Sequence, residues 1–348
     1  MLRRRAAMKY HMYISIAGEN RIALFTVDAD TGNVTPQDDI AVSGRPAPLV
    51  VDPQHRYLYI GRRGERKISG YRINQETGAL SAVGTVLLES DPVYLSTDRK
   101  GRFLLSAYYG AGRVAVHAIE DDGAPTSPPV QWLATGHGAH SIQTDPTNKF
   151  AFVPHIAGPD GPNMILQFRF DDNTGHLIPG LQPRVDPEPG VGPRHFCFNP
   201  SKEILYFSNE QGCSVTGYRL DPIWGNLSPF QTVSTLPQDF RGRNSCAQIQ
   251  ISPSGKFLYA PNRGHNTIAC FSVDLATGKL TPIGWVPTET IPRAFSLDPG
   301  GNFLYAAGLE SGRLASYRID QESGQLQPLQ TYILGKEPMW ILITRLRG

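Results

Sequence analysis

A strand–turn–strand signature returns along the whole chain: "LVVDPQHRYLYIG", "YLSTDRKGRFLLSA", "SIQTDPTNKFAFVP", "HFCFNPSKEILYFSN", "IQISPSGKFLYAPN" and "FSLDPGGNFLYAAG". Its turn residue falls at Asp52, Asp98, Asp145, Asn199, Ser252 and Asp298, positions roughly fifty residues apart. One more step of that size lands on Thr344, in "PMWILITRLRG", where the sequence stops. A second marker keeps the same beat. Hairpin signals of the "TGNV" type place glycine at Gly32, Gly78, Gly123, Gly175, Gly225, Gly278 and Gly324. Both markers give seven units. A chain built this way must repeat one small structural motif seven times.

Each unit reads as four short strands. Two apolar strands flank the Asp-type turn, a third follows as in "ISGYRIN", and the glycine hairpin leads to a fourth. Helical periodicity is absent. Units of this size and content predict an all-β, seven-bladed β-propeller rather than a solenoid of shorter repeats or a sandwich. The seventh unit has only its first strand at the C-terminus. Its missing strands stand at the N-terminus, in "KYHMYIS", "RIALFTV" and the segment after Gly32. The last blade is therefore expected to close the ring from both ends, which removes free edges. Residues 8–348 are expected to form one domain, with 1–7 a disordered extension.

Composition removes several function classes. Lys+Arg 33 against Asp+Glu 31 leaves a formal charge of +2, without the basic excess of a nucleic-acid binder. There is no apolar run long enough to span a membrane, and because Gly18, Glu19 and Asn20 interrupt the N-terminal segment, no signal peptide is expected. Cys197, Cys213, Cys246 and Cys270 show no CxxC spacing and read as reduced thiols of a cytoplasmic protein. Neither nucleic acid nor membrane is expected as a partner, and a monomer is compatible with the sequence. No cofactor or metal is expected: His137 and His140 stand three apart in "GHGAH" without a clear third ligand.

In a propeller the first strand of each blade lines the central channel and the second runs back beside it. The start of the first and the end of the second therefore meet at one face. Five residues before each turn stand Ala47, Val93, His140, Arg194, Ala247, Arg293 and Met339; the next column holds Pro48, Tyr94, Ser141, His195, Gln248, Ala294 and Trp340. Ten and eleven residues after the turns stand Arg62–Arg63, Tyr108–Tyr109, His155–Ile156, Asn209–Glu210, Asn262–Arg263 and Gly308–Leu309. Several arginines, three histidines and one carboxylate are thus predicted to gather at one channel mouth. That composition suits an anionic ligand with one acid–base group.

With these residues in view, the chain resembles the propeller-type 6-phosphogluconolactonases, a family that includes fungal carboxymuconate lactonizing enzymes, and most of all their enterobacterial type. The matching stretches are "AHSIQTDP", "GPRHFCFNP", "YFSNE", "SPSGKFLYAPNRGHNTIACFSV", "PTETIPRAFSLDPGGNFLYAAG" and "EPMWILI". The resemblance implies a seven-bladed propeller and a site carried by His140, Arg194, Glu210 and Arg263, with His195 and Arg293 in matching motifs. Two departures lie near the expected mouth: Gln248 and Gln250 before "ISPSG", and His155 in the longer "VPHIAGPDGPN".

Opening a lactone with water needs a base, donors for the oxyanion, and a grip on the substrate. Glu210 and His140 are expected to share proton handling, with Arg194 and Arg263 on the carbonyl. A terminal phosphate or carboxylate would contact Arg62, Arg63 or Arg293, since guanidinium binds such groups bidentately; His155, His195 and Gln248 are further expected contacts. The expected partner is a small anionic lactone, and 6-phosphogluconolactone is the leading expectation. A cycloisomerase acting on a muconolactone and a non-catalytic scaffold are the alternatives. The Arg- and His-rich mouth argues against the scaffold.

Overall fold

The computed structural model describes residues 9–346. The extension expected over residues 1–7 lies outside them. Seven antiparallel sheets follow one another along the chain. In the first blade the strands Pro46–Val51, Tyr57–Arg62, Lys67–Ile73 and Leu80–Leu87 pair in chain order. Five more blades repeat that order, and their innermost strands begin at Tyr94, Gln143, Pro193, Gln250 and Pro292. The seventh blade is composite. Its inner strand Pro338–Thr344 pairs antiparallel with Lys9–Ile16, with Ile14 opposite Ile341, and Arg21–Asp28 and Val34–Pro36 complete it. The ring closes by backbone hydrogen bonds between the two ends, as the repeat predicts.

The aspartates of the signature earn their place by capping the turn. Asp52 Oδ1 accepts from the backbone N–H groups of Arg56 and Tyr57, both at 2.6 Å, and Asp98, Asp145 and Asp298 repeat the arrangement. Each satisfies two buried donors at the start of the second strand.

The two sequence markers turn out to be halves of one contact between blades. The Tyr206 hydroxyl donates to the Gly278 carbonyl at 2.7 Å, and Tyr13, Tyr59, Tyr259 and Tyr305 reach Gly78, Gly123, Gly324 and Gly32 in the same way. Each partner glycine belongs to the following blade. Gly278 has φ +77°, and a Cβ there would stand 2.3 Å from Ile204. Only glycine fits this hairpin against its neighbour.

Apolar packing follows the same plan. Seven buried clusters occur, each spanning one pair of adjacent blades. Ile204, Tyr206 and Val215 meet Leu258, Ala260 and Phe271, for example. The core is a ring of inter-blade layers. The channel walls are therefore free to carry polar groups.

Candidate active site

The inner strands do not start regularly. The register shifts between Pro193 and His195, between Pro292 and Ala294, and between Pro46 and Leu49. Arg194 and Arg293 sit within these shifts. A bulge adds a residue to one strand and re-aims its side chain. Proline before each arginine suits the break, because it offers no N–H to the ladder. Sequence and local geometry together turn two arginines out of the β pleat and into the channel mouth.

A small pocket lies there, lined by residues from all seven blades: Ala47, Pro48 and Arg63; Val93; His140; Arg194 and His195; Gln248; Arg293; Met339 and Trp340. The column five residues before the turn supplies most of this wall. Beneath it, four rings pack edge to face or tilted. Tyr94 is 5.0 Å from His195 and 5.6 Å from Trp340 between ring centres, and His195 is 5.1 Å from His140. His195, Gln248 and Trp340 also line the wider space on the far side of this layer. The rings form a floor that divides the channel.

Glu210 and Arg263, both expected at the site, are not among the residues that line this pocket; they stand behind Arg194, where Glu210 joins the two arginines. Its Oε2 lies 2.6 Å from Arg194 Nε, and its Oε1 lies 3.0 Å from Arg263 Nη2. Arg194 is 2 % exposed and Glu210 18 %. Arg263 Nη2 also donates to the Cys246 carbonyl at 2.7 Å, which fixes its head group. Other polar atoms are left over. Arg194 Nη1, Arg263 Nε, His140 Nδ1 and His195 Nε2 are buried without a hydrogen-bond partner among the described residues. The side chains of Arg63 and Arg293 have neither hydrogen bond nor ion pair among those residues. The guanidinium groups of Arg194, Arg263 and Arg293 thus act on one carboxylate, and buried unpaired donors of this kind call for acceptors.

The field fixes the protonation states. Burial pushes the Glu210 pKa up, but the guanidinium groups of Arg194, Arg263 and Arg293 outweigh it, and the net shift is downward. Glu210 is ionised at neutral pH. Burial, then Arg194, His195 and Arg293, hold His140 well below the ordinary histidine range. Burial, Arg194, Arg293 and Arg263 do the same to His195. Both rings are neutral at pH 7. Burial, with the neighbouring Arg263 and Arg63, lowers Arg293 to about 10.

Two expected substrate contacts do not reach the pocket. Arg62 turns away: its Nε donates to the Ser43 carbonyl at 2.8 Å, and its Nη2 pairs with Glu65 at 2.6 Å. His155 is fully buried within its blade, where Nδ1 meets the Val153 carbonyl at 3.1 Å, and burial lowers it to about 4. Strand alternation explains both. Residues ten after the turn, including Asn209 and Asn262, point into the blade and bond there. Residues eleven after it face the mouth. Arg63, Glu210 and Arg263 belong to the second set. So does Tyr109, which sequence reasoning placed in the column but gave no role; it packs on His137 and His140 at 4.9 and 5.8 Å. Tyr94 and Trp340, the other floor residues without an expected role, could have been found from their column. Among the described residues, no group of three or more His, Cys, Asp or Glu is placed to hold a metal ion.

Comparison with known proteins gives consistent matches. The family model described as "Lactonase, 7-bladed beta-propeller" matches residues 11–343. A 6-phosphogluconolactonase of Pectobacterium carotovorum subsp. carotovorum (strain PC1) is 36 % identical over 341 residues, covering 97 % of this chain and all of that protein. The periplasmic gluconolactonase of Pseudomonas aeruginosa superposes with a TM-score of 0.89 at 26 % identity, covering 97 % of this chain and 100 % of the other. A Lactobacillus plantarum protein superposes with a TM-score of 0.87, also at 26 % identity and the same coverage.

Proposed function

The chain belongs to the family of seven-bladed β-propeller lactonases, and from that premise we propose that it opens 6-phosphogluconolactone to 6-phosphogluconate in the pentose phosphate route. Lactone hydrolysis itself is the activity of its relatives and of this enzyme. The observation that carries the choice of a phosphorylated substrate is the surplus of guanidinium groups. Glu210 neutralises part of the Arg194–Arg263 pair, which leaves Arg293 and Arg63 on the pocket wall without a close ion pair, with Asp91 acting on Arg63 from longer range. A phosphate dianion matches them better than a hydroxyl does.

The lactone carbonyl then lies against Arg194 and Arg263, whose unpaired Nη1 and Nε donors stabilise the oxyanion that forms when water attacks. Glu210 holds the two guanidinium groups in register. Both its oxygens are engaged and its pKa is lowered, so it is a poor base. His140 takes the water proton. In the empty pocket, burial and the guanidinium groups hold it neutral. A bound phosphate cancels part of that positive field and raises the affinity of His140 for a proton. The substrate thereby activates the base.

Among the described residues, no helix is long and apolar enough to cross a membrane. We place the enzyme in the cytoplasm, where a phosphorylated sugar acid is retained by its charge; four unpaired cysteines suit a reducing compartment. The test compares hydrolysis of 6-phosphogluconolactone and gluconolactone, with spontaneous opening subtracted and carboxymuconate cyclisation run in parallel. A clear preference for the phosphorylated lactone is expected. Equal kcat/KM for the two lactones, or turnover of the muconate alone, would overturn the assignment.

A further inference from the structure

Behind the Glu210–Arg263 pair lie two thiols that the hydrolytic chemistry leaves unused. Cys213 and Cys246 are held close by shared partners: Thr235 Oγ1 donates to the Cys213 carbonyl at 2.9 Å and touches Cys246 Sγ, and Asn262 Oδ1 accepts from both Asn244 Nδ2 and Cys246 Sγ. Asn244 Nδ2 donates to Cys213 Sγ at 3.3 Å, and Thr235 Oγ1 lies 3.2 Å from Cys246 Sγ. Both cysteines also meet the Glu210 carbonyl: the Cys246 N–H donates to it at 3.1 Å, and Cys213 Sγ stands 4.0 Å away. Cys213 is half-buried, while Cys246 is sealed in.

The backbone gives no reason for a cysteine at position 213. The residue before the third strand is left-handed in all seven blades, at Asn20, Arg66, Gly112, Asn163, Cys213, Asn266 and Gly312. Asn and Gly suit that conformation; Cys does not. Five of the six other blades obey this preference. Blade four accepts a strained φ of +45° and gains a thiol that shares the neighbour Thr235 with a second one.

We propose that Cys213 and Cys246 are a peroxide-oxidisable dithiol whose disulfide displaces the Glu210–Arg263 pair and switches hydrolysis off. The catalytic half of this statement rests on the site reading above; the covalent half does not. The Cys213 thiolate attacks one peroxide oxygen, the O–O bond breaks, and the leaving hydroxide becomes water. Cys246, giving up its proton, then attacks the Cys213 sulfur. The S–S bond forms and the sulfenic oxygen leaves as a second water. Two thiols are oxidised by two electrons and one peroxide is reduced. Local chemistry favours this order. The Cys246 thiol, then the hydrogen bond from Asn244, lowers Cys213 to about 6 against the cost of burial, with Arg263 adding to the shift. Cys246 is shifted upward by the Cys213 thiol and by burial. Burial raises Cys197, and raises Cys270 to about 12, so both serve as internal controls.

Oxidation reaches the site by a short route. The Cys246 carbonyl anchors Arg263 Nη2, and Cys213 closes the loop that begins at Glu210. Drawing the sulfurs to bonding distance moves both anchors.

The experiment treats the reduced full-length protein with low hydrogen peroxide and maps its thiols by non-reducing peptide mass spectrometry. A Cys213–Cys246 crosslink is expected before Cys197 or Cys270 reacts, with activity falling at least tenfold and returning on reduction. The Cys246→Ala variant should stop at a sulfenic acid on Cys213, captured by a cyclic diketone. Cys213→Asn, which places at this position the residue used in three other blades, should keep basal activity and ignore peroxide. No crosslink, or one that forms no faster than oxidation of Cys197 and Cys270, overturns the dithiol. A crosslink with undiminished activity overturns the switch. Failure of the enzyme to hydrolyse any lactone would sink the functional reading while leaving the mapping result to stand alone.

Discussion

Replacing Glu210 by glutamine tests how the mouth is held together. The carboxylate is the partner of two buried guanidinium groups, at 2.6 and 3.0 Å, and Arg194 is almost wholly cut off from water. Removing one member of a buried pair leaves a charge with no compensation, at a typical cost of about 3–5 kcal/mol. Glutamine keeps one acceptor, which places Glu210→Gln near the lower end, at about 3 kcal/mol. In turnover the loss should be larger. The guanidinium groups lose their register, and losing an oriented oxyanion donor typically lowers kcat by roughly 10²–10³. A second consequence separates this account from simple damage. The variant mouth is more positive than the native one, so 6-phosphogluconate should raise its melting temperature more than it raises that of the wild type. At a ligand concentration near a hundred times Kd, the gain is about 2.7 kcal/mol. Differential scanning calorimetry with and without product measures both effects. A variant as stable as the wild type, or one stabilised less by the anion, would refute the reasoning.

Other substitutions separate neighbouring roles. Arg293→Ala should lower kcat/KM for the phosphorylated lactone by about 10–100-fold, the worth of a charge-assisted contact, and leave gluconolactone hydrolysis nearly unchanged. Arg62→Ala should leave kinetics unaltered and cost about 1–3 kcal/mol, because its largely buried side chain binds the Ser43 carbonyl and Ser69 as well as Glu65. Gly278→Ala combines a left-handed φ with a Cβ 2.3 Å from Ile204, so thermal denaturation should show a loss of about 3 kcal/mol. The pH profile follows from the buried histidines. His140 is active when neutral and is held below its usual range, so the acid limb of kcat/KM should fall below pH 6.5. Stability should decline in the same direction. His155 is lowered to about 4 in the folded state, so between there and 6.5 the unfolded chain binds the extra proton. Acidification through that window should cost about 3 kcal/mol from His155 alone, read from denaturation at fixed temperature.

Much of the architecture is legible because the repeat is physical. The Asp turn caps two donors, the tyrosine bonds a neighbouring glycine, and both requirements recur in every sector they serve. Leu105 and Phe152 stand where the tyrosine would be, yet their blades close by packing, so the pattern survives gaps. Alignment of the sectors also brings His140, Arg194, His195, Gln248 and Arg293 to one pocket before any coordinates are seen. It fails where two adjacent polar residues end a strand. Arg62 and Arg63 look alike in sequence, and only the pleat decides that the second faces the mouth. His155 is misread for the same reason, since it shares the register of Asn209 rather than of Glu210. The bulges at Arg194 and Arg293 could not be read from the sequence. Strand alternation alone does not reveal a register shift, although the preceding prolines are its trace. The thiol pair was hidden by the distance of Cys213 from Cys246 along the chain.

Arg194 is the decisive residue, a buried cation that a bulge aims from blade four into a pocket built by all seven blades. Steady-state hydrolysis of 6-phosphogluconolactone by Arg194→Ala, with circular dichroism to confirm that the propeller remains folded, is the most direct measurement. Loss of kcat by roughly two orders of magnitude or more is expected. A folded variant that turns over the lactone at the wild-type rate would contradict the assignment of this mouth as the place where the ring is opened.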